Sequence, residues 1–111
     1  MASLIYVNEK LSDAVITLAT APGDVRSRLS SILPKILFLP GNCLPSELEK
    51  ELDWIRNKLT EKNSTQYGYD IGRTLRRMRN STGSKIAEKI VDLQFRVQIL
   101  VELERKQNTE V

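Results

Sequence analysis

The 111-residue chain contains no histidine and a single cysteine, Cys43. Without histidine it lacks Ser-His-Asp and Cys-His nucleophile pairs, the usual general base near neutral pH and the commonest zinc ligand. A single cysteine also excludes an internal disulfide and an iron–sulfur cluster held by the thiolates of this chain. We therefore expect a protein that is not an enzyme, holds no metal or cofactor and has no evident small-molecule substrate.

Long apolar runs and a secretory leader are also missing. No stretch approaches the roughly 20 apolar residues that span a bilayer. The apolar residues near the N-terminus follow no basic segment and are interrupted by Asn8, Glu9 and Lys10, which is not the pattern of a signal peptide. The composition, 41% hydrophobic and 28% charged, is that of a globular protein. We expect a cytoplasmic protein with no membrane partner, in which residues 1–111 form one helical domain with a tail that frays from about residue 107.

Apolar residues recur at helical spacing along most of the chain, which predicts an all-α bundle of four to five helices with short loops. The first helix is expected to start at a cap on Asn8 and to end before Pro22. Asp24 is predicted to cap the second helix, which Pro34 breaks or kinks. Residues 36–39 either complete that helix or cross the core as extended chain, and the pattern leaves both possibilities open.

The second half of the chain is expected to contain the remaining helices. Ser46 opens a capping box and so predicts the start of a third helix. A short helix is predicted over about Asp70–Arg79, followed by a polar turn over residues 80–84. The last helix is predicted from Lys85 to about Lys106. The order of GDVRSRL, a tryptophan-containing helix and NSTGSKIAEKI resembles small bacterial and mobile-element proteins, and this resemblance assigns no activity and no residue.

Positive charge is concentrated in one segment, RTLRRMRNSTGSK, which has five cations and no acid between Arg73 and Lys85. Such a field attracts phosphate, acidic protein faces or anionic lipid. Arginine forks on phosphate oxygens and tyrosine rings stacked on unpaired bases would make this segment a nucleic-acid surface. Equally, cations near a helix end complement the helix dipole, and the acidic helix after Ser46 offers them internal partners. The candidate phosphate or nucleic-acid contacts are Arg73, Arg76, Arg77, Arg79, Lys85, Tyr67 and Tyr69.

The last helix carries apolar side chains on two opposite sides. One side is a seam at alternating spacings of four and three, formed by Ile86, Ile90, Leu93, Val97 and Leu100. Phe95 and Ile99 fall nearly opposite this seam, with Leu103 beside Ile99. A helix that is apolar all round needs cover all round. Either residues 36–39 cover the second side, or it docks on another chain.

A docking face on the last helix leads to a functional expectation. We expect a non-catalytic interaction protein, such as an accessory subunit, an adaptor or a small regulator. Its predicted partner interface is Phe95, Ile99 and Leu103, and its partner is a copy of itself in a homo-oligomer, or a different protein. The alternative is a nucleic-acid-binding protein that uses the basic segment.

Overall fold

The computed structural model describes residues 3–60 and 78–109. Within these ranges the chain forms helices and no strand, which confirms the all-α prediction. The elements are α1 (Leu4–Thr20), α2 (Val25–Leu37), α3 (Ser46–Thr60) and α4 (Asn80–Thr109). Of the short helix predicted over 70–79, residues 70–77 lie outside the described residues, and Met78 and Arg79 are not helical.

Helix α1 starts earlier than the sequence predicts. Its cap is Ser3, whose hydroxyl accepts a hydrogen bond from the backbone N–H of Tyr6 at 3.2 Å. The predicted cap at Asn8 is wrong, because the Asn8 side chain is one turn inside the helix and is hydrogen-bonded to α4 instead. The end is as predicted: the helix stops at Thr20, before the proline at position 22.

The turn into α2 is as predicted. Asp24 caps α2 by accepting from the backbone N–H of Ser27 at 3.1 Å. The Arg26 side chain donates to the same carboxylate at 2.8 Å, and this bond, together with the Ser27 N–H, lowers the pKa of Asp24 below its usual value. Gly23 precedes the cap with a φ of +90°, a conformation that costs glycine little and lets the chain turn within the four residues between α1 and α2.

Helix α2 passes through Pro34 and ends at Leu37, so the proline does not break it. The Pro34 carbonyl accepts from the backbone N–H of Phe38 at 3.2 Å, which closes the last turn. Ile36 and Leu39 are buried in the core, whereas Phe38 between them is exposed. Residues 36–39 therefore combine both of the predicted possibilities: they finish the helix and then enter the core as non-helical chain.

Helix α3 begins where the sequence predicts, but the hydrogen bonds at its start differ from those of the predicted capping box. Ser46 is the first helical residue rather than the cap, and the backbone N–H of Glu49 donates to the Pro45 carbonyl at 2.9 Å. Further along, the Arg56 side chain donates to the carbonyl of Ile36 at 3.2 Å. This bond pairs a backbone carbonyl in the last turn of α2, where carbonyls have no partner within the helix, and it links α3 to α2.

Helix α4 begins at Asn80, five residues before the predicted start at Lys85, and reaches Thr109 rather than ending near Lys106. The predicted turn over 80–84 is wrong, because these residues form the first turn of α4, with the Gly83 N–H donating to the Arg79 carbonyl at 3.0 Å. Gly83 is buried against α2, and a methyl group there would lie 2.8 Å from Cγ1 of Val25. Close packing on α2 thus accounts for a helix in a segment of turn-forming residues.

The four helices share one apolar core. Each contributes side chains at helical spacing from one face, and the fully buried members are Val7, Leu11, Leu29, Ile32, Ile36, Leu52, Ile55, Leu59, Ile86, Ile90, Leu93 and Val97. Helices α1 and α4 run antiparallel, since Asn8 bonds to Gln98 near one end while the other end of α1 lies beside Ala87. Helix α4 is the longest described helix, with 30 residues against 17 in α1, and its later part therefore extends past the start of α1.

We predict that Gly83→Ala destabilises the protein by about 1 kcal/mol. Overpacking costs about 1–3 kcal/mol, and the better helix propensity of alanine returns up to about 1 kcal/mol. Denaturant unfolding measures the change. In a Val25→Ala background the methyl group of Val25 is gone, and the same Gly83→Ala change should become neutral or stabilising. An equal loss in both backgrounds would contradict the contact between Gly83 and Val25.

Candidate protein-interaction surface

Helix α4 is buried on one side and exposed on the other. The inner seam consists of Ile86, Ile90, Leu93, Val97 and Val101. On the opposite side Phe95 is 61% exposed, Ile99 44% and Leu103 51%. Phe38, in the run expected to offer internal cover, is itself 85% exposed. Within the described residues the second apolar side of α4 therefore remains open to solvent.

A small polar network holds α4 in this rotation against α1. The Asn8 amide donates to Gln98 Oε1 at 2.7 Å, and Gln94 donates to Asn8 Oδ1 and to Ser12 Oγ, each at 3.2 Å. These groups are partly buried, so leaving one of them unpaired costs more than the bond itself contributes. Turning α4 about its axis would break all of these bonds. The network therefore maintains the outward direction of Phe95 and Ile99.

The exposed side of α4 forms a continuous surface, which we call the outer face. Its members are Asp92, Phe95, Arg96, Ile99, Glu102, Leu103 and Lys106, and all seven are exposed. A shallow groove of about 370 Å³ on this surface is lined by α4 alone and includes Phe95, Ile99 and Leu103. The sequence prediction included the three apolar residues and missed the charged ones, which share the same side of the helix and are visible on a helical wheel.

A larger groove of about 770 Å³ adjoins the outer face at Phe95. It lies between α4 and the end of α1, and Val15, Ala19 and Val91 contribute to its apolar lining. Arg28 also borders this groove, and its Nε is buried with no hydrogen-bond partner in the described part of the chain. Phe95 thus belongs to both grooves and is the central apolar side chain of the surface.

Among the described residues, each of the other exposed aromatic rings either has a cation packed over it or stands alone. Trp54 of α3 has the ammonium groups of Lys58 and Lys89 at 5.8 and 5.7 Å from its ring centroid. Tyr6 has that of Lys10 at 5.6 Å. Phe38 is a single exposed ring at the end of α2, and scattered single apolar residues are normal on protein surfaces. Phe95 differs because it continues into a row of exposed apolar side chains.

The basic segment is only partly described. Tyr67, Tyr69, Arg73, Arg76 and Arg77 lie outside the described residues. Arg79 and Lys85 are exposed on either side of the first turn of α4, which contains no acidic residue. Their setting differs from the prediction, because a helical turn rather than a loop separates them. Among the acids of α3, Glu51 pairs with Lys89 at 3.4 Å and Asp53 with Arg56 at 3.7 Å.

Two further classes of site have no counterpart in residues 3–60 and 78–109. These residues contain no cluster of three or more acidic or cysteine side chains able to hold a metal ion. None of their helices combines the length and the apolar character that crossing a membrane requires. The chain matches no family model, no curated protein and no solved structure.

We predict that Asn8→Ala lowers the free energy of unfolding by about 1–2 kcal/mol, because it leaves the amides of Gln94 and Gln98 short of a partner. The matched control is Glu9→Ala on the exposed side of the same helix, which should change stability by less than about 0.5 kcal/mol. Thermal or denaturant unfolding measures both. Equal effects of the two substitutions would show that the network does not hold α4 against α1.

Proposed function

We propose that this chain is a non-catalytic cytoplasmic interaction protein, an accessory subunit, adaptor or small regulator that associates with a protein partner through the outer face of α4. One observation carries the proposal: Phe95, Ile99 and Leu103 form an exposed apolar row opposite a fully buried seam. Such a row on a helix favours burial against another apolar surface. Charged side chains border the row, as they border the apolar centre of many protein–protein interfaces.

The rigid setting of the outer face supports the same proposal. Its helix is fixed on the inner side by packing and by the amides of Gln94 and Gln98, so that little order has to be gained on binding. Binding by a preorganised surface loses less conformational entropy than binding by a flexible one. A large aromatic side chain at the centre, here Phe95, is the residue type that dominates interface energetics.

We predict that Phe95→Ala weakens association by about 2 kcal/mol or more, roughly a thirtyfold change in dissociation constant. Unfolding of the isolated protomer should change little, because this ring is mostly exposed there. Light scattering over a range of concentrations measures self-association, with the equally aromatic but isolated Phe38→Ala as the control. If Phe95→Ala keeps the mass distribution and the stability of the unaltered protein, self-association does not use this ring.

A partner other than a copy of the chain calls for a second measurement. A photo-reactive phenylalanine analogue at position 95, in cells that make the protein, would form a covalent adduct with whatever covers the outer face. The same analogue at position 38 reports the background. Absence of any adduct specific to position 95, together with an unchanged mass of Phe95→Ala, would contradict the proposed function.

Nucleic-acid binding through the basic segment is the second candidate. The observation that favours it is the charge at the start of α4: Arg79 and Lys85 are exposed there and the first turn has no acid. The first turn of α3, in contrast, contains Glu47 and Glu49. A helix start with cations and without acids is suited to an anion such as phosphate.

For this candidate we predict that short oligonucleotides are retarded at low salt and are released as salt rises. Each phosphate contact contributes about 0.7 to the slope of log affinity against log salt for single strands. The double substitution Arg79→Ala and Lys85→Ala should therefore make the slope shallower by about 1.4. Lys50→Ala, an exposed cation on α3, is the control. No retardation of single- or double-stranded DNA or RNA at low salt would eliminate nucleic-acid binding.

A further inference from the structure

We propose that a single-stranded nucleic acid binds at Trp54, where one base stacks on the indole ring. Lys58 of α3 and Lys85 and Lys89 of α4 contact the neighbouring phosphates, and we call these four residues the Trp54 patch. The inference rests on the second candidate function and locates its site on the described helices. It makes no use of Phe95, so the outer face and the Trp54 patch are tested separately.

Trp54 is an exposed aromatic ring whose neighbours are cations. The residue is 37% exposed, and the ammonium groups of Lys58 and Lys89 lie 5.8 and 5.7 Å from its ring centroid. Lys58 follows Trp54 by one turn of α3, whereas Lys89 reaches the ring from α4. Cations from two helices therefore meet at one ring. Phe95 differs from Trp54 in this respect, because it continues into a row of apolar side chains.

A single strand of nucleic acid matches this combination of a ring and cations. It presents unpaired bases joined by negatively charged phosphates, and aromatic side chains stack such bases whatever their sequence. The lysine side chains over Trp54 are long and flexible, and an exposed cation–π contact is weaker than base stacking on an aromatic ring. A base therefore replaces the ammonium groups on the ring, and these move onto the adjacent phosphates.

Lys85 extends the Trp54 patch toward the start of α4. It lies one turn before Lys89, at a spacing that places two residues on the same side of a helix. It is exposed and forms no ion pair within residues 3–60 and 78–109. Arg79, which is also exposed, precedes the first turn of α4. A bound strand thus follows cations from the ring of Trp54 toward the helix start.

The acidic side chains around the patch leave this charge available. Glu51 pairs with Lys89 at 3.4 Å, and Asp92 pairs with Arg96 at 3.2 Å. Glu88 borders the groove between α4 and α1, on the side of α4 away from α3. On binding, Lys89 exchanges a carboxylate for a phosphate. With so few cations involved, we expect binding that is observed at low salt and lost as salt rises.

The fluorescence of Trp54 tests the stacked base directly, because the chain has one tryptophan. An oligothymidylate of about ten nucleotides, a length that one small domain can cover, should quench this emission at low salt. Inorganic polyphosphate offers charge without bases and should change the emission much less at saturation. The anisotropy of a labelled strand reports binding independently of the tryptophan.

Each outcome of this titration separates the inference from the second candidate function. Binding of the labelled strand with unchanged Trp54 emission would overturn the Trp54 patch and leave nucleic-acid binding elsewhere on the chain standing. Quenching by polyphosphate equal to that by oligothymidylate would also overturn the patch as a base-stacking site, because any polyanion would then suffice. An absence of binding to any strand would overturn both.

Substitution of the ring provides a second test. Trp54→Leu should weaken binding of the labelled strand about tenfold, since it removes the stacking surface, whereas Trp54→Phe retains a ring and should recover most of the affinity. Denaturant unfolding checks that the two variants are equally folded. Equal affinity of Trp54→Leu and the unaltered protein would overturn the stacked base, and so would equal weakening by both substitutions.

Substitution of the lysines tests the phosphate contacts. The double variant Lys58→Ala and Lys89→Ala should make the slope of log affinity against log salt shallower by about 1.4, at about 0.7 for each contact to a single strand. Lys35→Ala, an exposed cation on α2, is the control and should leave the slope unchanged. Phe95→Ala should also leave strand binding unchanged. An unaltered slope in the double variant would overturn the role of these two lysines.

Discussion

The rest of the structure depends on one constraint: helix α4 packs against the other helices along one side only. Its inner seam, from Ile86 to Val101, is buried by the other helices, and the amides of Gln94 and Gln98 bond to α1 on the same side. Packing of this kind has one rotational setting, because the apolar seam and the polar network must be satisfied together. Everything on the outer face follows from that setting. The exposure of Phe95 is thus a consequence of the core.

Features that depend on short stretches of chain could be predicted from the sequence. The cap at Asp24 and the stop before Pro22 are local hydrogen-bonding and steric effects. The two apolar sides of α4 were also predictable, because a helix of known period assigns each residue a direction. For the same reason Ile99 and its neighbours could be selected as candidates, although only the packing of the helices shows that the described part of the fold leaves them uncovered.

Features that depend on distant residues could not be predicted in this way. Asparagine is a residue type that often caps helices, yet the Asn8 side chain is hydrogen-bonded to Gln98, 90 residues further along the chain. Residues 80–84 have the composition of a turn, yet Gly83 packs so closely on Val25 that the segment continues α4 as helix. In both places a tertiary contact overrides a local preference of polar or small residues.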